Sequence, residues 1–209
     1  MFYEEKPDKA LRFGDVIQGF VLSAASIDSP FCRGLVADYR IEVSHPPFSV
    51  ILTPCCSIGD KTLALTPLIA INPSFFDNPY LSADFTNVNR PMTPQQAVSP
   101  EIWQKLPDEQ KQRRLSFGTE LAYAFADSFV YSSHPLLPTY TLKTRAGNQT
   151  TGHYMIDFRR IYRIECRKVG NPKQSPWEAK ILQLSIDTRD ELRLKLAKYY
   201  SRIPREDEV

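Results

Sequence analysis

Glycine is scarce in this chain: 8 of 209 residues, where about 15 would be usual at ~7%. Neither a Gly-x-Gly-x-x-Gly turn nor a Walker loop occurs, so a nucleotide phosphate has no glycine-rich cradle. Cysteine is equally sparse, at four. That is too few for a disulfide scaffold, and it points to a reducing compartment. Cys32, Cys55, Cys56 and Cys166 form no Cys-x2–4-Cys knuckle, so no metal and no cofactor is expected. His-Glu-x-x-His and paired-carboxylate patterns are missing, and Arg114 stands where the first glycine of a nucleophile elbow around Ser116 would be. Hydrolase, kinase and dehydrogenase readings therefore lack a motif. No apolar run approaches the ~18 residues that span a bilayer. The chain opens acidic, with Glu4 and Glu5, where a signal peptide would be basic. The expectation is a cytoplasmic protein with no membrane contact.

Proline, by contrast, is plentiful at 17, and hydrophobic residues make up 42% of the chain. That suffices for a real core. The net charge of +2 hides a gradient: residues 1–100 carry 7 Lys/Arg against 10 Asp/Glu, and the remainder carries 19 against 14. The basic excess is milder than a dedicated nucleic-acid domain usually shows.

The pattern along the chain reads as mainly β (α+β), one domain over 1–209. Residues 1–11 read as a loose arm. Val16 to Leu22 reads as a strand after Gly14-Asp15. Residues 35–43 alternate, with Leu35, Ala37, Tyr39, Ile41 and Val43 on the face expected to be buried. Phe48 to Leu52 is a short buried strand, and Thr62 to Ile71 returns beside it as a hairpin. Residues 72–150 read as an insertion, pinned by Phe75, Phe76, Tyr80 and Phe85. They include a helix start at Ser99-Pro100-Glu101 and a second at Pro107-Asp108-Glu109. Leu121 to Tyr131 favours a strand, and another is expected at Thr139 to Leu142. Residues 154–166 read as one continuous strand, and Lys180 to Leu184 as a short one. Asp187 is expected to cap a helix over 187–203, with Leu192, Leu196, Tyr199 and Ile203 as its apolar stripe. The strands of 12–71 and 154–184 together predict a curved sheet or barrel.

Three groups of residues could bear chemistry. Thr53-Pro54-Cys55-Cys56-Ser57 offers Cys56 as a nucleophile if folding brings a histidine (His45, His134 or His153) to it. The alternative is a structural cysteine pair. Asp157, Arg159 and Arg163 fall on one face of the 154–166 strand, with Arg160 behind. They could bind RNA or another anion, with Tyr154 or Tyr162 to stack a base, although alternation puts both tyrosines on the other face. The alternative is a cross-strand ion-pair ladder. The helix near the C-terminus carries Arg189, Arg193, Lys195, Lys198 and Arg202, which either touch phosphate or keep that face solvated.

Gly14-Asp15-Val16, Phe48-Ser49-Val50-Ile51-Leu52-Thr53-Pro54 and Leu65-Thr66-Pro67-Leu68-Ile69 resemble the strands of the MazF/PemK toxin family over residues 12–71. The resemblance implies an SH3-like barrel. It does not bring the family's ribonuclease pair with it. His45, Pro46, Pro47 and Phe48 occupy the place of its arginine, and Leu68-Ile69 that of its hydroxyl residue. The chain is also similar to bacterial proteins in which an apolar strand ends in Thr/Ser-x-Cys and a basic helix closes the sequence. That likeness implies an anti-phage or toxin–antitoxin setting.

The reading that follows is a non-enzymatic bacterial binding module that contacts a partner protein, RNA or DNA, with Arg159, Arg163, Tyr154 and Arg193 as its contact residues. Two alternatives stand beside it. One is a divergent endoribonuclease that uses His153, Arg159 or Arg163. The other is a Cys-dependent enzyme or redox sensor centred on Cys56.

Overall fold

A computed structural model describes residues 1–27, 39–60, 62–77, 79–90, 105–110, 126–165 and 180–201. The architecture is mainly β, with several antiparallel sheets and a few helical segments. The chain divides into two compact units. The first holds Met1–Tyr3, Ile69–Arg159 and Leu184–Val209; the second holds Glu4–Leu68 and Arg160–Gln183.

The second unit is built on β1 (Val16–Gln18), β2 (Leu22–Ile27), β3 (Tyr39–Ser44), β4 (Phe48–Ile51), β5 (Thr62–Pro67), β11 (Tyr162–Glu165) and β12 (Lys180–Leu182). Five of these form one antiparallel sheet in the order β11-β5-β4-β1-β12. Among the described residues no sheet closes on itself. Val16 pairs with Val50, and Ile51 with Leu65, so the three apolar runs of the opening third lie side by side. Gly14 enters β1 with φ +85°, a conformation that L side chains resist, and its N–H donates to Ile51 O at 2.7 Å. Leu11, Ile17, Leu22, Ile51, Ile58, Leu63 and Leu65 form the core of this unit.

Between β4 and β5 the expected Cys55–Ser57 exit is a 3-10 turn, Cys55–Asp60. The returning strand is shorter than its apolar run. β5 ends at Pro67, which has no N–H for the ladder, and Leu68 N–H closes on Phe48 O at 3.0 Å. Residues 1–11 are not a loose arm: Tyr3 bridges to Leu184, and Tyr3 and Leu11 are buried. Glu4 N–H donates to Gln183 O, Asp8 N–H to the Gln183 side chain, and Asp15 is fully buried.

The first unit contains β6 (Ile69–Ala70), β7 (Ser128–Tyr131), β8 (Tyr140–Thr144), β9 (Gly147–Thr151) and β10 (Tyr154–Asp157). β6-β10-β7 is one sheet, and β8-β9 is a hairpin. The segment after β6 is held by Phe75, Phe76 and Phe85, three of the four aromatics singled out in the sequence; the Tyr80 side chain lies outside what the structure describes. The 3-10 turns Pro73–Asp77 and Phe85–Asn89 and the helix α1 (Pro79–Ala83) bury Phe75 and Phe85 with Ile71, Leu81, Val88, Val130 and Met155. Asn89 seals the outer edge of β7. Its amide donates to Val130 O and accepts from Val130 N–H, both at 2.7 Å and both buried. Residues 108–110 are helical; the expected start at Ser99 and residues 121–125 lie outside the described residues.

Three corrections concern strands. Val16 to Leu22 is not one strand: β1 ends at Gln18 and β2 begins at Leu22. Residues 154–166 are not one strand. β10 ends at Asp157, a turn follows at Phe158 and Arg159, and β11 begins at Tyr162 in the other unit's sheet. The alternation runs through the break, because Phe158 is buried in the turn. Nor are Ile41 and Val43 covered on β3: Ile41 is 63% exposed and Val43 56%. Leu35 and Ala37, expected on the same face, lie outside the described residues.

The helix near the C-terminus, α2 (Ile186–Tyr200), starts slightly before the expected position. Ser185, not Asp187, caps it, and the Ser185 hydroxyl accepts from Thr188 N–H at 3.3 Å. Leu192 is buried and Leu196 and Tyr199 half-buried, as the stripe predicts. Ile203 lies outside the described residues. Among the described residues no helix is long and apolar enough to cross a membrane.

Candidate functional site: an aromatic and histidine cluster

His153 sits in the short link between β9 and β10, in the first unit, and is half-buried. Its ring meets Phe85 edge-on at 5.0 Å, and Phe85 in turn meets Phe76 at 4.8 Å. Its Nδ1 lies 3.3 Å from Thr151 Oγ1, and the same hydroxyl accepts from His153 N–H. Burial pushes the imidazole below its ordinary value, while the Asp84 carboxylate pulls it partly back. The ring is therefore neutral near pH 7. Asp84 is itself fixed as the cap of the 3-10 turn and accepts from Thr86 N–H at 2.9 Å.

Tyr140 continues this cluster. Its hydroxyl accepts from Ile71 N–H at 2.8 Å and donates to the His153 carbonyl. Burial pushes that phenol up to about 12, although the Ile71 N–H opposes the shift. Tyr154 packs against Tyr140 at 4.9 Å between centroids and donates to Pro138 O at 2.7 Å. Burial raises its phenol as well. Phe76, Tyr140, His153 and Tyr154 thus present half-exposed rings, and three of them are anchored at their polar ends. The sequence pointed to Tyr154 and His153 separately. It gave no signal for Tyr140 or Phe76 beside them, because those contacts join distant segments.

The remaining candidates are divided between the two units. Arg159, in the turn after β10, is held by two carboxylates: Asp157 at 2.8 Å and Asp127 at 3.2 Å. The hydrogen bond to Asp157 and the fields of both acids raise its guanidinium further. Both acceptors are mostly buried beneath it, so the group answers the ion-pair reading of that strand better than a free anion clamp. Arg163 is exposed on β11, at an edge of the second unit's sheet, opposite Ala64. The split of the 154–166 segment thus assigns the two arginines to different units. Tyr162, on β11, packs against the second unit's core. Arg193 on α2 forms an ion pair with Asp190 at 2.5 Å.

Cys56 is exposed, and its Sγ lies 3.8 Å from Ser57 Oγ. It belongs to the second unit and His153 to the first. Its neighbour Cys55 is half-buried and accepts from Phe13 N–H at 3.4 Å. Among the described residues no group of three or more His, Cys, Asp or Glu side chains could hold a metal ion.

A different polar cluster, unmarked in the sequence, lies in the second unit. The Lys180 ammonium is buried against fully buried Asp15 at 2.8 Å. It also donates to Ala10 O at 2.7 Å and Gln183 Oε1 at 2.6 Å. Asp8 stands 3.5 Å away and pairs with Arg12. Burial pushes the Asp8 carboxyl up, but Arg12 and Lys180 together hold it below its ordinary value. An ammonium so enclosed by acceptors is a structural clasp, tying residues 8–15 to β12.

No known protein family matches the chain, and neither does any curated protein or solved structure.

Proposed function

We propose that the protein is a non-enzymatic binding module and that it takes a partner protein on the aromatic and histidine cluster of the first unit. The observation that supports this is the set of half-exposed rings at Phe76, Tyr140, His153 and Tyr154. Aromatic side chains give large contact area at low entropic cost, and they dominate the centres of protein interfaces. Rings already fixed by hydrogen bonds lose little further freedom on binding.

The cations nearby favour protein over nucleic acid. Lys143 is exposed and alternates away from Tyr140 along β8, and Arg145 is paired with Asp77 at 3.7 Å. A phosphate backbone needs a track of free Lys and Arg. The anti-phage or toxin–antitoxin setting rests on the sequence likeness alone. The SH3-like relationship to the MazF/PemK strands is part of the same proposal. Its support is that the three resembling segments supply β1, β4 and β5, adjacent in one antiparallel sheet.

The test is affinity capture from a bacterial lysate, run beside fluorescence anisotropy with single-stranded RNA. Wild-type protein captures a specific protein, Tyr154→Ser weakens that capture at least about tenfold, and Arg163→Ala leaves it unchanged. Capture that ignores Tyr154→Ser, or RNA bound in place of a protein, overturns the reading.

A further inference from the structure

Among the described residues, the hairpin β2–β3 leaves a strand edge unpaired and the side chains of Ile41 and Val43 uncovered. Among the described residues its two strands pair only with each other, from Leu22↔Ser44 to Ile27↔Tyr39. β2 is the strand that lies against β11 of the same unit, so among the described residues β3 is the outer edge. Ile41, Glu42, Val43 and Ser44 are exposed on both faces of that strand. A lone two-stranded ribbon is marginal in water, and an unprotected edge invites pairing with another strand.

We propose that β3 pairs antiparallel with β3 of a second copy of this chain, about a two-fold axis through Ile41. The local sequence is Tyr39-Arg40-Ile41-Glu42-Val43. An antiparallel pairing of two identical strands is self-complementary under such an axis. Centred on Ile41, it sets Arg40 opposite Glu42 twice, Tyr39 opposite Val43 twice, and Ile41 opposite itself. Opposite charges directly across a ladder stabilise it, and like charges destabilise it. Moving the axis by one residue in either direction sets Arg40 or Glu42 against its own copy. Charge therefore selects one register among the three central ones. The product is a four-stranded antiparallel sheet, β2-β3-β3-β2, in which Ile41 and Val43 gain the neighbours that each copy alone does not give them.

Six residues of edge bury much less than the ~1,200–2,000 Å² of a standard stable interface, so the dimer is concentration-dependent. Sedimentation velocity on the full chain, from about 5 to about 500 µM, reads the association expected of an interface this small. Wild type shifts from monomer toward dimer across that range. Arg40→Glu and Glu42→Arg each set like charges opposite one another and abolish the shift. The double variant Arg40→Glu/Glu42→Arg restores it, which also shows that the single variants did not simply unfold. A wild-type chain that stays monomeric throughout overturns the proposal. So does a dimer indifferent to the single charge changes, and so does a double variant that fails to recover. None of these results bears on capture at Tyr154, which lies in the other unit.

Discussion

Asn89 shows how much a single side chain can hold in place. Both its polar atoms are spent on the backbone of Val130, which would otherwise present an unmet N–H and C=O at a buried strand edge. Asn89→Leu leaves that donor and acceptor without partners. It should cost about 2–6 kcal/mol, since each of the two buried unsatisfied groups costs ~1–3. Urea denaturation measures this directly; a loss below about 0.5 kcal/mol would mean that water replaces the amide. His153 makes a prediction in pH. Its folded-state value lies below its ordinary value of 6.5, chiefly through burial. The unfolded chain therefore binds the proton more readily, so stability is complete above pH 6.5 and falls as pH drops toward the depressed value. The urea midpoint should decline from pH 7.5 to pH 5, and His153→Gln should remove part of that slope. Neither residue's role was legible beforehand. Asn89 reaches across 41 positions to Val130, and no local pattern encodes such a partner.

At the scale of elements, what the sequence reveals depends on what a strand's neighbours do. β1, β4 and β5 are visible as apolar runs because a sheet's central strands are buried on both faces. α2 is visible because Leu192, Leu196 and Tyr199 recur at helical spacing. The alternation of residues 154–166 misleads. Period two shows that the chain is extended and two-faced, but it does not show that Phe158 is buried in a turn and that the strand resumes in another sheet. β3 misleads in the opposite way. Its alternation is real, yet periodicity cannot report whether a second layer covers the apolar face. The clasp between residues 8–15 and β12 is tested by its charges. Lys180→Met leaves Asp15 in a buried position without its cation, and breaking a buried pair costs about 3–5 kcal/mol. The double variant Lys180→Met/Asp15→Leu should recover much of that loss. Equal unfolding midpoints for the single variant and wild type would show that the pair contributes nothing.

For the whole molecule, the division into two units rearranges the candidate chemistry. Residues close in the sequence separate: Arg159 belongs to one unit and Arg163 to the other. Residues far apart converge, since Phe76, Phe85, Tyr140, His153 and Tyr154 come from three segments of the first unit. Of the three histidines that could activate Cys56, His45 belongs with it to the second unit, and His134 and His153 belong to the first. Within the first unit, His153 comes together with a set of fixed rings. The mainly β class was readable from strand periodicity. The aromatic cluster was not, because it exists only once β8, β10 and the 3-10 turn at Phe85–Asn89 have packed together.

The most direct test of contact at this cluster is site-specific photo-crosslinking. A photoreactive side chain replaces Tyr154 in one sample and Arg163 in another, each is irradiated in lysate, and adducts are read by mass spectrometry. The account predicts a discrete protein adduct from position 154 and none of the same mass from position 163. The same adduct from both positions, or from 163 alone, would contradict it.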